Sequence, residues 1–125
     1  MLDDGAPIFS QIAERLADEI AEGTLKEDDQ VPSTNELAAY YRVNPATAAK
    51  GISVLADDGL VEKHRGIGMF VVKGARGRLL DARRARFAER YIEPLVFEAN
   101  RLGVDTDALV ALIRESSQAK GEIKV

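Results

Sequence analysis

The chain contains no cysteine and no tryptophan, and its one histidine is His64. Without thiols, it can form no disulfide, no thiolate metal site and no cysteine nucleophile. One histidine cannot build a His-rich metal site and leaves a single candidate for a Ser/His arrangement. No apolar run approaches the roughly 20 residues of a membrane span. The N-terminus also lacks the apolar stretch of a signal peptide. A soluble, cytoplasmic protein with no membrane partner is expected, and no metal or cofactor. Asp28 with Asp29, or Asp57 with Asp58, could be called paired carboxylates. On a helix, neighbours point about 100° apart, so both pairs read as loop or helix-end residues and no enzyme is expected.

What the chain does have is apolar residues, 46% of 125, enough to bury a core. The formal net charge of -4 hides an asymmetry. Residues 1–32 hold 2 Lys/Arg against 9 Asp/Glu, residues 33–78 hold 7 against 4, and residues 79–125 hold 8 against 8. A basic middle in an acidic chain confines attraction for a polyanion to one surface.

Ile8, Ile12, Leu16 and Ile20 recur every four residues, with Phe9, Ala13 and Ala17 beside them. That spacing predicts a helix over 8–22, opened after Pro7 and stopped by Gly23. A polar loop, "TLKEDDQVP", follows. "STNE" is a capping box with Ser33 as N-cap and Glu36 three residues on. It predicts a short helix over 34–41, with Leu37, Ala38 and Tyr41 facing inward. After a turn at Arg42 and Val43, Asn44 and Pro45 open a helix running to Asp57 or Asp58. Gly51 inside it costs about 1 kcal/mol against alanine. The missing side chain predicts close approach by another helix. "LVEKHR", "GIG" and "MFVVK" then predict a strand, a turn and a second strand.

"GARGR", Gly74 to Arg78, reads as a linker. Beyond it, Leu80, Phe87, Tyr91, Leu95 and Leu102 mark a long helix over about 79–102, which Pro94 should kink near Arg90–Glu93. Asp105 caps a last helix carrying Leu109, Val110, Leu112 and Ile113, and the tail from Ser116 is expected to fray. Two helices in so few residues bury little core alone. A second copy of the same hairpin is the simplest partner, so a homodimer through the C-terminal helices is expected.

The fold class is therefore mainly α with a small β-hairpin. A winged helix-turn-helix occupies 1–74, and a two-helix dimerisation region occupies 75–125. In a helix-turn-helix the second helix enters the major groove with its N-terminal residues toward base edges. Here these are Asn44, Ala46, Thr47, Ala49 and Lys50, small or polar groups suited to close approach. The basic glycine turn after it, "EKHRGIGMFVV", reads as a wing with Arg65 at its tip. Gly66 and Gly68 permit positive φ and close backbone approach to a groove.

These motifs carry a resemblance. "PIFSQIA", "EGTLK…VPSTNELA", "LADDGLV" and "RGIGMFV" occur in order between Pro7 and Val72. Together they resemble the N-terminal domain of the GntR family of bacterial transcriptional regulators. The short two-helix remainder is similar to its YtrA-like subgroup. The resemblance implies a regulator, expected to be a repressor, that binds a palindromic double-stranded operator as a homodimer. It carries DNA contacts over to Ser33, Asn35, Asn44, Pro45, Ala46, Thr47, Ala49, Arg65 and Gly66. Many relatives have arginine where this chain has Asn35, Pro45 and Ala49, and threonine where it has Met69. Base specificity therefore does not carry over, and Arg42 and Lys50 are the cations left to supply part of it.

Two readings stand beside this one. A winged helix can serve protein–protein contacts with its wing merely solvated, and salt-dependent duplex binding would separate the two. The C-terminal helices can also leave an apolar cavity for a small-molecule effector, lined by Phe87, Tyr91, Leu95 and Phe97.

Overall fold

The computed structural model describes residues 5–119. Within them the chain forms two compact units, divided between Arg83 and Arg84.

The first unit is built on three helices: α1 (Ile8–Glu22), α2 (Thr34–Tyr41) and α3 (Pro45–Asp57). The apolar stripe of α1 supplies Ile12, Leu16 and Ile20 to the core, each almost fully buried. Burial of one such side chain contributes about 1.5–3 kcal/mol. Ile8, at the head of the same stripe, stays 44% exposed. Leu37 and Ala38 face inward from α2, and Ala48, Ile52 and Leu55 from α3. The core of the described residues contains no buried polar side chain.

Gly51 is the contact point of α1 and α3. A Cβ there would lie 3.0 Å from the Phe9 carbonyl oxygen and 3.2 Å from Ile12 Cγ2. The expected close approach is thus present, and it brings backbone onto backbone.

Strands β1 (Val61–His64) and β2 (Gly68–Val71) pair antiparallel, with Val61 opposite Val71 and His64 opposite Gly68. The segment expected to be a plain polar loop adds to this sheet. Val31 N–H donates to the Met69 carbonyl at 2.8 Å, Asp28 N–H to Val71 at 2.9 Å, and Val71 N–H to Asp29 at 3.0 Å. Charged side chains mask the strand-like edge in this segment, because its pairing uses only backbone.

The stretch read as a linker begins a helix instead: α4 spans Ala75–Phe87. Ala75 and Leu79 are buried in the core of the first unit. Three arginines tie α4 down. Arg76 Nε donates to the Ala21 carbonyl at 2.8 Å, Arg78 Nη2 to the Gly59 carbonyl at 2.6 Å, and Arg83 Nη2 to Asp18 Oδ1 at 2.8 Å. Glycine and arginine suggested flexibility, but each guanidinium has a specific oxygen to hold.

In the second unit, a π-helical turn at Ala88–Ile92 leads into α5 (Glu93–Arg101). The irregularity lies where Pro94 removes the hydrogen bond to the Arg90 carbonyl, as expected. Helix α6 (Thr106–Ala119) starts at Asp105, whose Oδ1 accepts from Ala108 N–H at 2.8 Å. It continues through Ser116 rather than fraying there; residues 120–125, the rest of the expected polar tail, lie outside the described residues. Among the described residues of this unit, Ala99 alone is buried.

Gly51→Ala tests the helix crossing. Alanine gains about 1 kcal/mol in helix propensity, while overpacking against backbone costs about 1–3 kcal/mol. The melting temperature should fall; a rise would show that α1 yields readily at Phe9.

Candidate nucleic-acid interface

The site begins at the N-terminus of α2. Ser33 Oγ accepts from Glu36 N–H at 3.1 Å, and Glu36 Oε1 accepts from Ser33 N–H at 3.0 Å. The Ser33 backbone N–H, followed by its hydroxyl, holds the Glu36 carboxyl below its usual pKa. Both Ser33 donors, the backbone N–H and the hydroxyl, thus face the Glu36 carboxylate. Asn35 lies exposed in the same first turn.

The turn to α3 passes through Arg42, which is exposed and holds the left-handed conformation at φ +57°. For a side chain with a Cβ this costs on the order of 1 kcal/mol. Asn44 caps α3, its Oδ1 accepting from Ala46 N–H at 2.7 Å. The Asn44 amide nitrogen is left as a donor. Pro45 is exposed at the helix start.

Because Ala48, Gly51, Ile52 and Leu55 are buried, the opposite side of α3 faces outward. It presents Ala46, Lys50, Ser53 and Asp57, spaced by four, three and four residues and all exposed. Thr47 and Ala49 flank this stripe and are half-buried. Lys50 leans toward α1, with its Nζ 4.1 Å from the centroid of the Phe9 ring. Ser53 escaped the sequence reading, which stopped at Lys50; its spacing of seven from Ala46 carries the signal.

The wing tip is a turn in which Ile67 N–H donates to the His64 carbonyl at 2.9 Å. Gly66 takes φ +76° within it. Arg65 is exposed and makes no ion pair among the described residues. His64 folds back on the strands instead. Its ring stacks on Phe70, with centroids 4.4 Å apart, and its Nε2 lies 3.1 Å from Glu62 Oε1. Gln30 braces the tip, its Nε2 donating to the Ile67 carbonyl at 3.0 Å. Nothing in the local sequence marks Gln30, since its partner lies 37 residues away.

Acidic groups gather elsewhere. A cleft of about 690 Å³ is lined by Asp18, Glu19, Glu22 and Glu36 with Arg15, Tyr40 and Tyr41. Loss of solvent raises the Tyr41 pKa there. The four candidate effector residues lie in the second unit. Phe87 and Tyr91 have ring centroids 5.7 Å apart. Leu95 and Phe97, two residues apart on α5, point to sides about 200° apart.

Residues 9–71 match the description "Bacterial regulatory proteins, gntR family". The chain belongs to the GntR family. The match runs from α1 through β2, the elements that carry the surface just described. Similarity to the HTH-type transcriptional repressor YtrA of Bacillus subtilis extends further. It is 30% identity over 116 residues, 92% of this chain and 88% of that protein. A GntR family transcriptional regulator from Listeria monocytogenes has a similar structure at TM-score 0.71 and 27% identity, over 91% of this chain and 98% of that one. The AraR DNA-binding domain, solved in complex with operator ORX1, matches 58% of this GntR chain and 93% of its own at TM-score 0.54 and 27% identity. The winged-helix class and the YtrA-like resemblance are thereby borne out.

The reciprocal cap gives a pH dependence. A carboxyl whose folded pKa is depressed adds stability above its unfolded pKa, ordinarily about 4.3, and loses it as pH falls through the lower folded value. Thermal melting of the parent and of Glu36→Gln should therefore differ in pH dependence on the acid side of that value. Superimposable acid-side profiles would show that the cap carboxylate does not couple to folding.

Proposed function

We propose that this chain is a transcriptional repressor that binds a two-fold symmetric operator as a homodimer in the cytoplasm. As a GntR-family member it is a DNA-binding regulator; the operator symmetry, repression, dimer and contacting residues are the proposal. The observation that carries it is the outward stripe of α3, small and polar along Ala46, Lys50 and Ser53, in the same unit as a wing whose Arg65 has no acidic partner among the described residues.

In this reading Asn35 and Arg42 donate to phosphates flanking the groove, and Ser33 lies against them at the start of α2. The strained backbone at Arg42 supports its part, because a cation is kept where glycine would fit without cost. Pro45, Ala46, Thr47 and Ala49 let α3 approach closely, while Asn44 and Lys50 supply donors. Arg65 and Gly66 bring the wing to the minor groove, where negative potential is deep. The function is binding, not catalysis.

The dimer rests on the second unit. Leu102, Val110, Leu112 and Ile113 are 40–69% exposed in the single chain, and one alanine is a poor core. A second copy of α5 and α6 would cover them. An effector cavity is part of this reading through Phe87, Tyr91 and Leu95; Phe97, on the other side of α5, would take a separate role in packing.

Two measurements test the proposal. Arg65→Ala should weaken binding to all duplexes and lower the slope of log affinity against log salt by about one; an unchanged slope would remove Arg65 from the interface. Truncation belongs after Arg83, since Ala75 and Leu79 are core residues. Sedimentation should then find a folded monomer, and a dimeric fragment would place the interface outside α5 and α6.

A further inference from the structure

Ile67 stands at the wing tip 65% exposed, a large branched apolar side chain that the fold leaves uncovered. Its backbone is nevertheless held on both sides. The N–H is bound to the His64 carbonyl at 2.9 Å, and the carbonyl receives the Gln30 amide at 3.0 Å. The two neighbouring glycines serve this arrangement. Gly68, at φ +141°, leaves room for Gln30, whose Nε2 would lie 2.6 Å from a Cβ at that position. A Cβ at Gly66 would meet nothing within 4 Å, so the space around the tip is open. The exposed cation of Arg65 lies two residues away.

An apolar side chain on a held backbone, beside a cation and at a glycine turn, fits one part of a duplex well. The minor groove attracts the cation by its negative potential and accepts apolar groups at its floor. That floor differs between base pairs. A·T pairs present only the acceptors A N3 and T O2, whereas G·C pairs add the G N2 amino group. A branched alkyl group pressed on that amino group would strip its water and return no hydrogen bond, which is costly.

We infer that Ile67 reads the minor-groove floor of the operator, selecting A·T pairs under the wing by excluding the guanine 2-amino group. The inference rests on the proposed operator binding and adds a reader that works by shape rather than by hydrogen bond.

The test uses the full chain. Duplexes selected by the parent from a random pool first define the bound sequence. The parent should enrich A·T pairs at symmetric positions flanking the part read by α3. Replacing one such A·T by G·C should weaken binding about ten-fold, within the usual cost of a mismatched pair. Replacing it by inosine·C, which keeps the major-groove face of G·C but lacks the 2-amino group, should restore binding. Ile67→Ala, at an exposed position, should melt like the parent and bind all three duplexes with nearly equal affinity. Equal binding of G·C and inosine·C duplexes by the parent, no A·T preference in the flanks, or discrimination that survives in Ile67→Ala would each overturn the inference. A selection that enriches no sequence would instead refute sequence-specific operator binding, and this inference with it.

Discussion

The approach of α1 to α3 at Gly51 is the constraint on which the first unit depends. A side chain there would meet the Phe9 carbonyl at 3.0 Å, so the helices can sit this close only without one. The crossing buries Ala48, Ile52 and Leu55 and thereby decides which side of α3 faces outward. It also brings the Phe9 ring beneath Lys50, where the ammonium rests 4.1 Å from the ring centroid. Packing energy and the presented surface are consequences of one contact.

The wing depends on a different principle. Its two strands are four residues each, too short to be stable as an isolated hairpin. The segment from Asp28 to Val31 pairs with β2 through backbone hydrogen bonds, and Gln30 reaches on to the tip. The tip is thus held from outside the hairpin. The backbone that carries an exposed arginine and an exposed isoleucine is thereby held, which lowers the entropy lost when the tip is ordered by a ligand.

The second unit inverts the economy of the first. Its last helix is capped by Asp105, yet the described residues of this unit bury only Ala99. Helices of this length gain most of their stability from tertiary burial rather than propensity. Leucine, isoleucine and phenylalanine on α5 and α6 stay exposed in the single chain, which is the observation behind the proposed dimer.

Local chemistry was enough to read much of this from the chain. The four-residue apolar period set α1, the Ser33–Glu36 box set the start of α2, and Asn44–Pro45 set the start of α3. Each signal acts within one helical turn, so neighbouring residues contain it completely. The glycine turn at Arg65 and the break ahead of Pro94 were legible for the same reason. Tertiary structure decided the rest. The "GARGR" stretch became helix because Ala75 found the core and Arg76, Arg78 and Arg83 found distant oxygens. The Asp28–Val31 loop became a sheet edge because β2, some 40 residues on, offered a free row of backbone groups. Ser53 joined the exposed stripe only once the buried side of α3 was known, and Gln30 gained its place through a bond to Ile67. Such contacts depend on how the chain closes on itself, and residue spacing along the chain does not encode that closure locally.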